Sequence, residues 1–321
     1  MGDVNMLEPL VLIVGPTATG KSAVAMGIAK KLGGEIISGD STQVYRGLNI
    51  GTAKASWEER KVIPHHLIDI NGPEEPFSVA EFQQKATQAI QEIRQRGRLP
   101  ILVGGTGLYI RSVVDPYEFA EIETDSELRR SLQQELLKVG KAEMHRRLAL
   151  VDPQSAERIH PEDVRRVIRA LEVFRLTNQP LSHFHHLKNS LPSKYNAVWI
   201  GLNLDRTQLY QRIERRVDQM IEAGLIDEVQ GLLEQGVDPN SNSMQALGYK
   251  EMVGFLKGEY SLAIAIELIK RNTRRFAKRQ LTWFRRDARI YWFDVGVEVN
   301  QEVLTEKICQ IICRTINFHV E

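Results

Sequence analysis

Cysteine is nearly absent from this chain: 321 residues hold only Cys309 and Cys313. They stand four apart in a segment with helical patterning, so one helix face holds both and they make a poor disulfide pair. That argues against a disulfide-stapled scaffold and suits a reducing compartment, with the two thiols acting as small buried apolar groups. Long apolar runs are missing too, none approaching the roughly 20 residues needed to cross a bilayer. The opening residues Met1-Gly2-Asp3-Val4-Asn5-Met6 lack the basic patch and apolar core of a secretory signal, and Met6 stands where myristoylation needs Ser or Thr. A cytoplasmic protein with no membrane partner is expected. Charge of one sign is scarce: Lys and Arg number 42 against 41 Asp and Glu, a net +1 that averages over segments of opposite sign. The 42% hydrophobic content is that of a globular protein with a real core, and the length allows two domains or one core with a large insertion.

What the chain does have is concentrated in short segments. Gly15, Pro16, Thr17, Ala18, Thr19, Gly20, Lys21 and Ser22 form a complete G-x-x-x-x-G-K-[ST] phosphate loop. It follows the apolar run Leu10–Val14 and opens the helical stretch Ser22–Leu32. A buried strand, a glycine turn and a helix N-terminus aim several backbone N–H groups at one anion. Lys21 adds a point charge for the outer phosphates, and the Ser22 hydroxyl is placed to hold Mg²⁺. A di- or triphosphate ligand is expected.

The first third alternates strand and helix signals, as a parallel sheet requires. After Leu10–Val14 come a short strand Glu35–Ser38 ending at Asp40 and a helix opened by the Ser78/Glu81 capping box and closed by Gly97. The buried strand Leu99–Val103 then runs into Gly104-Gly105-Thr106. Ligands in such sheets gather at the carboxyl ends of the strands, where the phosphate loop, Asp40 and Thr106 all fall. From about Asp115 to Lys194 the pattern becomes helical: a capping box at Thr124/Glu127, then Ser126–Val139, Lys141–Val151 and Val164–Leu176. Strand patterning returns at Ala197–Leu204. Helices follow over Thr207–Ala223, Ile226–Gln235 and Ser261–Arg285, with a last strand at Arg289–Asp294. The expected fold is α/β, a P-loop kinase-like parallel sheet flanked by helices with an all-helical insertion. Residues 1–114 and 197–321 form the core and 115–196 the insertion.

Asp40 faces whatever lies beyond the bound phosphates. It could accept a proton from a nucleophile or help hold magnesium, while Asp40-Ser41-Thr42 is also turn-capping chemistry. No Walker-B acid ends the strand Ile101–Val103, and no Asn-Lys-x-Asp guanine signature occurs; His65-His66-Leu67-Ile68-Asp69 reads as structural. Between Lys270 and Arg289 a basic segment places Arg271, Arg275, Lys278 and Arg285 on roughly one helix face, with Trp283 and Phe284 interleaved, a pattern that suits a nucleic-acid backbone or simply faces solvent. Arg165, Arg166 and Arg169 form a second cluster, and Arg206, Arg212, Arg215 and Arg216 a third. His183-Phe184-His185-His186 has polar flanks that read as a loop rather than a zinc site.

Taken together, these segments resemble the bacterial tRNA dimethylallyltransferase family. The blocks that carry the resemblance are Gly15–Ser22, Asp40–Tyr45, Asn49–Lys54, Pro64–His66, Val103–Tyr109, Asp163–Val173, Ala246–Glu251 and Thr273–Arg285, which span nearly the whole chain in the family's order. The resemblance implies transfer of a dimethylallyl group from dimethylallyl pyrophosphate to the exocyclic amine of the adenosine 3′-adjacent to the anticodon. It implies Asp40 as general base, Arg216 and the loop on the leaving pyrophosphate, and Thr106 on the target nucleotide. It further implies tRNA contacts from Asp40, Ser41, Thr42, Gln43, Thr106, Arg129, Arg165, Arg166, Val167, Ile168, Arg169, Gln245, Ala246, Leu247, Gly248, Tyr249 and Lys250. Arg165 stands where relatives often carry glutamine. The target base would be flipped out of the anticodon loop into the site, with the helical insertion gripping the stem-loop and the enzyme acting as a monomer. The rivals are a small-molecule or nucleotide kinase, an isopentenyltransferase acting on free adenine nucleotides, and a non-catalytic nucleotide-gated RNA-binding protein. The first two leave the insertion without a role, the kinase the basic stripe as well, and the last needs no base at Asp40.

Overall fold

The apolar run Leu10–Val14 is wholly inaccessible to solvent, which requires cover on both faces of the strand it forms. A computed structural model describes residues 7–115, 125–186, 193–296 and 299–316. Its strands are β1 (Glu8–Val14), β2 (Gly34–Ser38), β3 (His65–His66), β4 (Leu99–Gly104), β5 (Tyr195–Asn203) and β6 (Ile290–Asp294). Its helices are α1 (Lys21–Leu32), α2 (Trp57–Val62), α3 (Val79–Gln95), α4 (Gly107–Val114), α5 (Ser126–Val151), α6 (Pro153–Arg158), α7 (Val164–Thr177), α8 (Leu181–His186), α9 (Arg206–Glu222), α10 (Leu225–Glu234), α11 (Tyr249–Leu256), α12 (Leu262–Phe284) and α13 (Gln301–Ile316).

The strands form one all-parallel sheet in the order β3-β2-β4-β1-β5-β6. Period-two alternation splits β1 between two cores. Leu10, Leu12 and Val14 pack with α3, α4, α10 and α11, while Val11 and Ile13 pack with Val24 and Ile28 of α1 and Ile308 and Ile312 of α13. Burying those five β1 side chains contributes on the order of 10 kcal/mol, an upper figure for an extended reference chain. Cys309 and Cys313 are free thiols on α13; burial pushes the Cys309 thiol up to about 11, as its role in apolar packing requires. No helix among the described residues is long and apolar enough to cross a membrane.

The chain divides into two units, residues 1–115 with 193–321, and residues 116–192. The second is helical where described, with its own core of Leu132, Met144, Leu148, Val167, Ile168 and Leu171. Thr124 lies outside the described residues. The helix it was expected to cap starts under Asp125, whose carboxylate accepts from the N–H groups of Glu127 and Leu128. Gly140, at φ 81°, breaks α5 where the sequence patterning also parts. The Ser78/Glu81 capping box is present on α3. The polar flanks of His183 read as a loop, but 181–186 is the short helix α8.

Candidate active site

The site begins where β1 ends. Gly15 sits at φ 138°, and a Cβ there would lie 2.5 Å from the Leu202 carbonyl oxygen of β5, so the turn needs glycine. Ala18 and Gly20 both adopt left-handed backbone, at φ 65° and 86°. Gly20 is the N-cap of α1 and offers no side chain to its first-turn N–H groups, leaving them to an anion. Within the loop, the Pro16 carbonyl accepts from the Thr19 hydroxyl at 2.9 Å and from Lys21 Nζ at 2.7 Å. An incoming phosphate therefore competes with a loop carbonyl for the ammonium.

The three loops at the carboxyl ends of β1, β2 and β4 border one cavity of about 380 Å³, lined by Thr17, Lys21, Ser22, Asp40, Gln43, Gly105, Arg216 and Gln280 among others. Asp40 Oδ1 accepts from the Thr42 N–H at 2.9 Å and the Thr42 hydroxyl at 2.6 Å. Both readings of Asp40 thus hold at once: one oxygen caps the turn, which fixes the carboxylate on the cavity wall. Gln43 is held by Ser38 Oγ at 2.8 Å and by the Thr52 carbonyl at 3.2 Å. Burial pulls the Lys21 ammonium down to about 7, with Arg216 pushing the same way and Asp40 opposing both. Burial also lowers Arg216, again against the pull of Asp40. Two desolvated cations against one carboxylate make a site short of negative charge, which a pyrophosphate would supply.

Thr106 occupies the N-cap position of α4, but its hydroxyl turns to Ser41, 3.4 Å from the Ser41 nitrogen and 3.5 Å from its hydroxyl. Ser22 is exposed on the first turn of α1. Together with Asp40 it offers oxygen donors on the cavity wall. That set fits Mg²⁺, which binds through one or two protein oxygens while keeping waters and phosphate oxygens. Among the described residues no cluster of three His, Cys, Asp or Glu could hold a metal alone.

The remaining candidates divide. Gln245 and Lys250 are exposed, Ala246 and Leu247 half-buried, and Gly248 buried. Tyr249 is fully buried, with its hydroxyl donated to Glu228 Oε1 at 2.5 Å, so its side chain faces the interior. Val167 and Ile168 are likewise in the core of the helical unit, on the inward face of α7. In that segment Arg165 and Arg166 are exposed and Arg169 is half-exposed. Arg129 and Arg169 share Glu172 Oε2 at 2.8 and 2.9 Å, and that carboxylate is fully buried. On α12 and its C-cap, Arg271, Arg275, Lys278 and Arg285 are all exposed, while Lys270 and Arg274 turn to Asp218 and Glu214 of α9, each at 2.7 Å. The third basic cluster disperses: Arg212 donates to the Val295 carbonyl and Arg216 enters the cavity. Sequence reasoning missed Glu172, Glu228 and Gln280, polar residues inside amphipathic helices whose partners come wholly or, for Glu172, in part from distant segments.

A family model described as IPP transferase matches residues 43–287. The chain is 56% identical over 311 residues to a tRNA dimethylallyltransferase of Heliobacterium modesticaldum, covering 97% of each chain. It is 51% identical over 326 residues to one of Moorella thermoacetica, covering 100% of each. Among solved structures, a full-length tRNA isopentenylpyrophosphate transferase from Bacillus halodurans aligns with a TM-score of 0.73 at 48% identity, covering 97% of each chain. A eukaryotic dimethylallyltransferase acting on tRNA aligns at 0.82 and 28% identity, covering 98% of this chain and 81% of its own.

Proposed function

The chain belongs to the IPP transferase family, and from that premise we propose that it prenylates tRNA, moving the dimethylallyl group of dimethylallyl pyrophosphate to the exocyclic amine of the adenosine 3′-adjacent to the anticodon. It acts as a cytoplasmic monomer. The observation that carries the reading is the meeting of the phosphate loop, Asp40 and Arg216 in one cavity.

The transfer breaks a carbon–oxygen bond and makes a nitrogen–carbon bond. The amine's lone pair is delocalised into the ring, so it gains nucleophilicity as a base takes its proton. Asp40 is that base. Thr42 holds one of its oxygens, and the other is left to receive the proton. The pyrophosphate gains negative charge as it leaves, which the amides of the loop, Lys21 and Arg216 stabilise. Ser22 would hold Mg²⁺, which when bound neutralises part of that charge. Thr106, beside Ser41, contacts the target nucleotide. The target base reaches the cavity only when flipped out of the anticodon stack. The exposed arginines Arg165 and Arg166, with Arg129 and Arg169, and the basic face of α12 contact RNA.

Incubating the protein with labelled dimethylallyl pyrophosphate and unmodified tRNA, with ATP and AMP as alternative substrates, tests this. Label in tRNA supports the proposal. Label only in AMP supports the adenine-nucleotide enzyme, and ATP consumption without prenyl transfer supports the kinase.

A further inference from the structure

The buried stripe of α12 reads Ala265, Ile269, Thr273, Ala277, Gln280 and Phe284. Gln280 is the one member with a full amide, 6% exposed. Its two ends reach different loops. Oε1 accepts from the Thr17 N–H at 2.9 Å, and Nε2 donates to the Gly105 carbonyl at 3.0 Å. Only one orientation of the amide satisfies both partners; the reverse sets N–H against N–H and oxygen against oxygen. Gly105 lies so close that a Cβ there would sit 2.1 Å from Nε2.

We infer that Gln280 is a positioning residue for the proposed transfer: it ties the phosphate loop at Thr17 to the end of β4 at Gly105, one residue before Thr106. It thereby sets the spacing between the leaving-group side and the nucleotide side of the cavity. With its N–H committed to Gln280, Thr17 leaves the phosphate to the later amides of the loop. The inference rests on the prenyl-transfer reading, and a displacement of the loop by a fraction of an ångström separates reacting groups that must meet in line.

Two variants test it. Gln280→Met keeps the volume and loses both bonds. It is expected to lower kcat at least tenfold and to weaken binding of inorganic pyrophosphate about tenfold, leaving tRNA affinity within twofold. Gln280→Glu adds a titrating readout. Its protonated carboxyl reproduces the amide, with a carbonyl for Thr17 and an O–H for Gly105, whereas its carboxylate faces the Gly105 carbonyl oxygen. Activity of Gln280→Glu relative to wild type should therefore rise as pH falls. Lys21, Asp40, Glu59, His65 and Arg216 border the same cavity in both proteins, so the ratio reports the new carboxyl. Unchanged kcat and pyrophosphate affinity in Gln280→Met, equal losses for tRNA and pyrophosphate, or a pH-independent ratio for Gln280→Glu would overturn the inference. If Gln280→Met fails to fold, the pH ratio decides. A wild-type protein that binds pyrophosphate but transfers no prenyl group refutes the functional reading instead.

Discussion

Replacing Lys21 by methionine should make the protein more stable while removing its activity. Burial holds this ammonium down to about 7 against a usual value of 10.5, with Arg216 adding to the effect. At about pH 7.5 the unfolded chain carries the lysine charged and the folded chain carries it mostly neutral. At 1.36 kcal/mol per tenfold, that difference costs the folded state about 4 kcal/mol. Two corrections reduce the gain on mutation. The side chain is partly open to solvent, and its bond to the Pro16 carbonyl, at 2.7 Å, contributes about 1 kcal/mol. About 1–3 kcal/mol remains, a rise in Tm of about 2–6 °C for a chain of this size. Between about pH 7 and 10.5 the unfolded state binds more protons than the folded one, so wild-type stability rises with pH across that window. The advantage of Lys21→Met is therefore full at pH 7 and below and fades toward 10.5. Thermal unfolding of both proteins across that range, followed by circular dichroism, measures it. A lower Tm for Lys21→Met at neutral pH, or a difference that ignores pH, would refute the reasoning. Transfer activity of the same variant should fall by about 10²-fold or more, since a bound pyrophosphate draws the proton back onto Lys21 and the leaving group then loses that cation.

Glu228 accepts from the N–H groups of Asn49, Ile50 and Gly51 and from the Tyr249 hydroxyl. Glu228→Ala should cost about 3 kcal/mol by leaving those donors without it, read in urea unfolding. Glu172→Gln removes the charge that holds Arg129 and Arg169 together, so tRNA should bind about 3–10-fold more weakly in filter binding with pyrophosphate affinity unchanged. Arg216→Ala removes a cation from the cavity and its push on Lys21. Pyrophosphate should bind at least tenfold more weakly by calorimetry, and the Lys21 ammonium should titrate higher by NMR.

The parallel sheet was legible because its strands are apolar runs buried on two faces, the pattern that Leu10–Val14 and Leu99–Val103 display. Strand β3, two histidines at the sheet edge, has no periodicity to read. Helix α11 opens on Gly248 at φ 96° and buries Tyr249, so two residues of a segment that resembles an RNA contact point inward, which no local pattern announces. The phosphate loop was legible as a string, but the Lys21–Pro16 bond depends on its fold. Arg216 looked like any helix arginine until resemblance singled it out, and only the structure shows its desolvation. Gln280 lies inside a block that carries the resemblance, but nothing local marked its bonds, since its partners lie 263 and 175 residues away. Local pattern reports burial and turns; it does not report which distant backbone atom a buried amide will meet.

The most direct test is to locate the prenyl group. Unmodified tRNA should be treated with wild-type protein or Asp40→Asn in the presence of dimethylallyl pyrophosphate and Mg²⁺, then digested and read by mass spectrometry. The prediction is a dimethylallyl group on the adenosine 3′-adjacent to the anticodon with wild type. With Asp40→Asn its rate of formation should fall by about 10²–10⁴-fold while pyrophosphate still binds. A prenyl group elsewhere, none at all with wild type, or an undiminished rate with Asp40→Asn would contradict it.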